Sequence, residues 1–226
     1  MSRIVLFGTG RGADVAYRFL SADTRHDIVA FTVDGDRIGA KTHRGLPLVP
    51  FEEVEKHYPP DTTRMLILLG YQQMNGLRQQ KFEAAKAKGY TLESYVASGI
   101  FQAEPLSVGE NCFILDNQSI SLDVEIGHNV VMWSSNHIGD MTTIADHAWV
   151  SSHVTVAANV TIGARAFLGI GAKVTNGVRI GEECFVGAGL MIAADTQPRS
   201  VNLNGRDQLD FEARPFMRMM IASGKL

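Results

Sequence analysis

Cysteine is scarce: two in 226 residues, Cys112 and Cys184, far apart in the chain. That pair builds neither a disulfide framework nor a zinc knuckle. The expected compartment is the reducing cytoplasm. An excess of one charge is also missing. Lys and Arg number 21 against 24 Asp and Glu, a net charge of −3, which argues against a broad nucleic-acid or membrane-surface footprint. No apolar run approaches the ~18 residues of a membrane-spanning helix. The opening segment carries one arginine and the four-residue apolar run Ile4-Val5-Leu6-Phe7. That is too short for a secretion signal and reads as a first strand. What is plentiful is apolar material, 45% of residues, enough for a core and against disorder. The length allows one or two domains.

The 22 glycines are too few for collagen, so their placement matters. From Val108 an aliphatic residue returns every sixth position through Ile114, Ile120, Ile126, Met132, Ile138, Ile144, Val150, Val156, Ile162, Leu168, Val174, Ile180, Val186 and Ile192 without a slip of phase. The next position is often glycine, as at Gly109, Gly127, Gly139 and Gly163. Four after the aliphatic stands a small or aliphatic residue, such as Cys112, Val124, Ala148 or Val154. A helix has no period of six, and a half-buried strand has a period of two. Six residues make one short strand and one tight turn. Three such sides close an 18-residue triangular coil, the hexapeptide left-handed parallel β-helix. Residues 108–197 make five coils, a prism ~24 Å tall at the usual strand spacing.

Before the repeat the grammar is α/β. Ile4–Phe7, Ile28–Val33, Met65–Leu69 and Thr91–Val96 read as strands; Ala13–Leu20, Pro50–His57 and Met74–Lys88 read as helices. That alternation predicts a small parallel sheet over residues 1–97. Residues 98–107, containing Pro105, are expected to be a linker. Residues 198–226 lose the repeat, and Phe211, Phe216 and Met217–Met220 are expected to cap the prism.

Gly8-Thr9-Gly10-Arg11-Gly12 joins the first strand to the first helix. Such a turn either binds an anion on its N–H groups or merely turns tightly. Asp34 ends the second strand 22 residues after Gly12, where dinucleotide folds place the acceptor for a ribose hydroxyl. With only one mononucleotide half present, a nucleotide-linked sugar suits the site better than NAD. Thr9, Gly10, Arg11, Asp34, Gly70 and Tyr71 are the expected contacts. Arg78 either reaches a phosphate or is a plain surface arginine.

In the repeat, Trp133-Ser134-Ser135-Asn136-His137-Ile138-Gly139-Asp140 is the least generic stretch. His137 precedes an inward aliphatic and so points outward, where an imidazole can act as a general base. His153 lies one coil above Ser135, and His128 one coil below Asp146 as an expected structural pair; His147 is on that same side. Prism carbonic anhydrases carry two histidines five apart. Here Ala158 stands five after His153, so no metal is expected. Cys112 and Cys184 occupy the inward position and are not expected to be nucleophiles.

Together, Gly8–Gly12, Asp34, Gly70-Tyr71, Asn75, Arg78, Ala87-Lys88-Gly89-Tyr90, Gly109-Glu110-Asn111-Cys112, Trp133–Gly139 and Ser151-Ser152-His153-Val154 resemble the hexapeptide sugar acyltransferases of the sialic-acid O-acetyltransferase and bacillosamine or perosamine N-acetyltransferase type. The resemblance runs to about Thr196. It implies a half-Rossmann domain holding a nucleotide-linked sugar, a homotrimer, and acetyl-CoA or another acyl-CoA bound between prisms. It further implies direct attack of a sugar amine or hydroxyl on the thioester, for surface polysaccharide or glycan synthesis. The acyl-CoA contacts are placed at Ala158, whose N–H would polarise the thioester carbonyl, His153 and Trp149. The family's usual catalytic histidine falls on Asp140, followed by Met141. Either His137, the first candidate, or Asp140 takes over the proton with Asn136 beside them, or another subunit's histidine does; the other reading is a catalytically degenerate sugar-nucleotide-binding or scaffold paralogue.

Overall fold

A computed structural model describes residues 2–203 and the backbone of 206–210. The residues expected to cap the prism, Phe211, Phe216 and Met217–Met220, lie outside the described residues. The chain divides into two compact units, Met1–Gly70 with Gln80–Glu93 and Tyr71–Gln79 with Ser94–Leu226.

In the first unit β1 (Ser2–Phe7), β2 (His26–Val33), β4 (Leu46–Pro50) and β5 (Arg64–Ile67) are parallel neighbours in the order β4-β2-β1-β5. β3 (Thr42–His43) adds an antiparallel edge to β4. α1 (Arg11–Ser21) and α2 (Val54–His57) accompany the sheet, and α3 (Gly76–Ala87) carries the chain across both units. Ile4, Val5, Leu6 and Phe7 are all buried, as a central parallel strand requires. The β3–β4 hairpin escaped the sequence reading. Its two-residue link is Arg44-Gly45, both at positive φ (51° and 79°), the geometry that matches strand twist. It also supplies Arg44 and His43 to Asp14, and the Arg44 guanidinium holds the Asp14 carboxyl down at about 2.

The expected fourth strand at Thr91–Val96 is not part of this sheet. Leu92 makes only an isolated bridge to Met65, while Tyr95–Val96 pairs with Phe113–Ile114. Phe101–Gln102 and Ser107–Val108 pair with Ser119–Ile120 and Glu125–Ile126. The segment expected to be a linker is therefore a coil of the prism. The period runs back through Gln102 to Val96; Gln102 takes the aliphatic's register place opposite Ile120 but is polar and exposed, which hid it.

In the prism three parallel sheets form three walls. From Tyr95 to Ile192 each strand is paired with the one 18 residues on, as in Val131↔Trp149 and His137↔Thr155, and a last strand, Ser200–Leu203, joins Phe185–Val186 out of that period. Ile114, Ile138, Ile144, Val150, Val156 and Leu168 are fully buried in one continuous core. Each such side chain stabilises the fold by about 1.5–3 kcal/mol. The corners follow a second rule. From Val108 to Val186 the residue three after each aliphatic sits at positive φ, as at Asn111, Asn117, Asp123, Ser135 (69°), Met141 (55°), His147 (64°) and His153 (60°). Asn and Asp tolerate that region best after glycine, and the sequence uses them freely there.

Candidate functional site

The carboxyl edge of the first unit gathers the glycine turn and Asp34. Two of the turn's three glycines answer to the fold. Gly8 has φ +115°, and a Cβ on Gly12 would lie 2.8 Å from the Leu68 carbonyl oxygen. Gly10 has neither reason: its φ is −84° and a Cβ there would meet nothing within 4 Å. It is the residue before α1, and it accepts the Asp14 N–H at 3.1 Å. The turn thus presents unobstructed backbone at a helix N-terminus, a surface that favours anions. Thr9 is half-buried and Arg11 exposed beside it, and Gly70 follows β5 at the same edge. Asp34 ends β2 and is gripped by Lys81, whose Nζ donates to Oδ1 at 2.5 Å. Lys81 went unnoticed in the sequence. It lies 47 residues from Asp34, and no local pattern announces a pairing of that range.

Tyr71 and Arg78, expected at this edge, belong instead to the prism unit. Arg78 is fully buried. It donates to the carbonyl oxygens of Asn129 (3.1 Å), His147 (2.7 Å) and Ala148 (3.2 Å) and to the side-chain oxygens of Asn75 (2.9 Å) and Asn129 (3.2 Å). Burial lowers its guanidinium to about 9, and its cation stands 5.5 Å from the Trp149 ring centroid. Both sequence readings, phosphate ligand and surface arginine, are overturned: the guanidinium is buried and bonded to coil carbonyls and to the side-chain oxygens of Asn75 and Asn129. Tyr71 packs on Trp149 and Phe167 at 5.4 and 4.7 Å.

On the prism His137 is exposed at the start of its strand, with Nδ1 3.4 Å from Ser119 Oγ. Among the described residues its Nε2 has no partner. If Nδ1 carries the proton toward Ser119, Nε2 offers its lone pair outward. Asp140 is exposed, and its Oδ1 accepts the Leu122 N–H of the coil below at 3.1 Å. His153 is an exposed corner residue.

Two expectations fail here. Asn136 is not a catalytic group. It is buried, its Oδ1 accepts the Val154 N–H at 2.8 Å and its Nδ2 donates to the Trp133 carbonyl at 2.5 Å. It stands four after Met132, the inward position of the repeat. The Ala158 N–H is not a free oxyanion donor, because it already donates to Asn176 Oδ1 at 3.1 Å. The expected structural pair of His128 and Asp146 is present: Asp146 Oδ1 accepts the backbone N–H of His128 (2.7 Å), and the His128 ring accepts from the Glu110 N–H.

His147 is buried. Asn129 Oδ1 is taken by Arg78 and by Asn111 Nδ2, so Asn129 must turn its Nδ2 to His147 Nδ1 at 2.8 Å. Trp149, expected at the acyl-CoA, is buried in an aromatic stack with Phe167 and Trp133. It lines a cavity of about 510 Å³ together with Tyr71, Ser152 and Phe185. Burial pushes the Cys112 thiol up to about 11 and raises Cys184 as well, which disfavours the thiolate a nucleophile needs.

Residues 159–194 match the family model described as bacterial transferase hexapeptide (six repeats). No curated protein matches the chain. Solved structures resemble it along most of its length. One is a His-to-Asn variant of perosamine N-acetyltransferase from Caulobacter crescentus, in complex with CoA and GDP-perosamine: 22% identity, 89% of this chain and 93% of that one, TM-score 0.78. Another is the acetyltransferase domain of PglB from Neisseria gonorrhoeae, in complex with acetyl coenzyme A: 17% identity, 92% and 98%, TM-score 0.79. A third is WeeI from Acinetobacter baumannii: 15% identity, 92% and 100%, TM-score 0.79. The fold is thus an N-terminal Rossmann-like sheet followed by a hexapeptide parallel β-helix, the class the sequence predicts.

Proposed function

We propose that this chain is an acyltransferase that moves an acetyl or similar acyl group from acyl-CoA to an amine or hydroxyl of a nucleotide-linked sugar. The observation that carries the reading is the conjunction, in one chain, of an unobstructed glycine turn near Asp34 with a hexapeptide prism bearing an exposed imidazole. Support comes from structures of the same two-part fold that hold CoA and GDP-perosamine, or acetyl coenzyme A. Thr9, Gly10, Arg11, Asp34 and Gly70 would hold the nucleotide. His137 would serve as base: Nε2 takes the proton as the sugar amine or hydroxyl attacks the thioester carbonyl, and the tetrahedral intermediate collapses to expel the CoA thiolate. No covalent enzyme intermediate is required. Asp140 orients the substrate or the base through the carboxylate oxygen that Leu122 leaves free, and His153 remains a candidate acyl-CoA contact. The setting would be cytoplasmic and the product destined for a surface polysaccharide or glycan. The second reading, a degenerate binding or scaffold paralogue, is favoured by Asp140 itself, which stands where the resemblance expects a histidine and spends one oxygen on Leu122.

A homotrimer is part of the proposal. Phe101 and Met191 are 69% and 63% exposed on the wall that carries His137, and Leu122 and Met141 at the corner beyond it are 50% and 57% exposed. Apolar side chains so placed suit an interface between copies. Sedimentation at micromolar concentration is expected to give a trimer, and a stable monomer would remove the composite acyl-CoA site.

The glycine turn gives a test that separates fold from ligand. Gly12→Ala is expected to lower the melting temperature, since its Cβ collides with backbone; overpacking of this kind costs about 1–3 kcal/mol. Gly10→Ala is expected to melt as the wild type does and yet bind nucleoside diphosphates more weakly in calorimetry. Unchanged binding by Gly10→Ala would remove the turn from the site.

A further inference from the structure

The pair Lys81–Asp34 carries a substrate choice. Lys81 Nζ sits 2.5 Å from Asp34 Oδ1 and lies over two aromatic faces, 5.6 Å from the Phe7 ring centroid and 5.8 Å from that of Phe51. Phe7 and Phe51 themselves meet edge to face at 5.1 Å. The ammonium is thus held by one carboxylate and two ring faces, and its side chain is only 15% exposed. Asp34 is more open, at 26%. Among the described residues its Oδ2 has no partner. A carboxylate with one oxygen pinned by a fixed cation and the other open is a directed acceptor. It suits a hydroxyl donor and repels a second anion.

Asp34 stands at the end of β2, at the same sheet edge as the open turn at Gly10. In a nucleotide fold that place faces the ribose 2′-hydroxyl. Resting on the nucleotide-sugar reading above, we infer that Lys81 positions Asp34 so that its free oxygen accepts the ribose 2′-hydroxyl. The chain therefore takes ribonucleoside diphosphate sugars in preference to their 2′-deoxy, thymidine-type counterparts. Lys81 is a positioning residue in this account and touches no substrate.

The test is calorimetry on the full chain with matched pairs that differ only at C2′, UDP against 2′-deoxy-UDP and GDP against 2′-deoxy-GDP. The ribo member of the pair whose base is bound is expected to bind about 10- to 100-fold tighter, the worth of a hydrogen bond to a charged acceptor. Asp34→Ala is expected to bring that ratio to about one. Lys81→Met is expected to shrink the ratio while leaving affinity for the deoxy member unchanged, a pattern that loss of folding does not produce. Equal binding of both members by the wild type overturns the inference and leaves the nucleotide site standing. A Lys81→Met variant that weakens both members equally assigns Lys81 to the diphosphate and likewise overturns it. Binding of none of the four nucleotides removes the nucleotide-sugar reading, and the inference with it.

Discussion

Replacing His137 by alanine is expected to cut kcat at least ~100-fold, the lower end of what loss of a general base costs, with oligomeric state and melting temperature unchanged. The stability half of that expectation follows from placement. His137 is exposed, its one side-chain hydrogen-bond partner among the described residues is Ser119 at 3.4 Å, and the adjacent inward residue that holds the wall is Ile138. The kinetic half follows from the unpartnered Nε2. Asp140→Asn is the control. An asparagine oxygen can still accept the Leu122 N–H that Asp140 Oδ1 holds at 3.1 Å, so the corner survives and only the charge is lost. A modest fall in rate is expected there. Near-wild-type turnover by His137→Ala beside a dead Asp140→Asn would move the base to Asp140. Activity in both would hand the proton to substrate, solvent or His153.

The second large effect is on stability. Arg78→Met is expected to destabilise the protein by about 2–4 kcal/mol, the order of cost of leaving several buried acceptors without a donor. Methionine fills much of the volume but donates nothing. The carbonyls of His147 and Ala148 and the side-chain oxygen of Asn75 then lose a donor in a dry site. Asn129 keeps its Asn111 contact but loses its anchor to α3. Denaturant unfolding followed by circular dichroism reads the loss. Nucleotide affinity of the folded protein should not change, because Arg78 is buried within the prism unit. Full stability with lost nucleotide binding would restore the phosphate role that the buried geometry denies.

The prism was legible because its cause is periodic. One aliphatic every sixth residue has a single structural reading. The coil before Val108 was hidden by Gln102, an exposed polar residue at the aliphatic's register place, and the strand at Ser200–Leu203 pairs with Phe185–Val186 outside the six-residue period. The corner rule was legible too, in hindsight: Asn111, Asn117, Asp123 and Asn129 occupy positive-φ positions six apart, and His147 and His153 stand in the same register. That register explains two histidines as corner residues. Asn136 misled because its neighbours are polar. Its distance of four from Met132 already marked it as inward, beside Gln118 in the coil below, which likewise bonds coil carbonyls. The first unit was legible as alternating strands and helices. Its charges were not. Lys81 and Arg78 lie three residues apart on α3, one gripping Asp34 and the other the coils at Asn129 and His147. Which way each side chain goes depends on partners 47 to 70 residues distant, and no local spacing encodes that.

The most direct test of the central claim is acyl transfer itself, followed by mass spectrometry of the nucleotide sugar and by release of free CoA thiol. Purified protein would be incubated with acetyl-CoA and a panel of UDP-, GDP- and dTDP-linked amino sugars and their hydroxylated counterparts. The account predicts one sugar that gains a single acyl group, with CoA released in equal amount and both signals lost in His137→Ala. CoA and nucleotide sugar that bind without any transfer would contradict it and leave a binding protein on an acyltransferase fold.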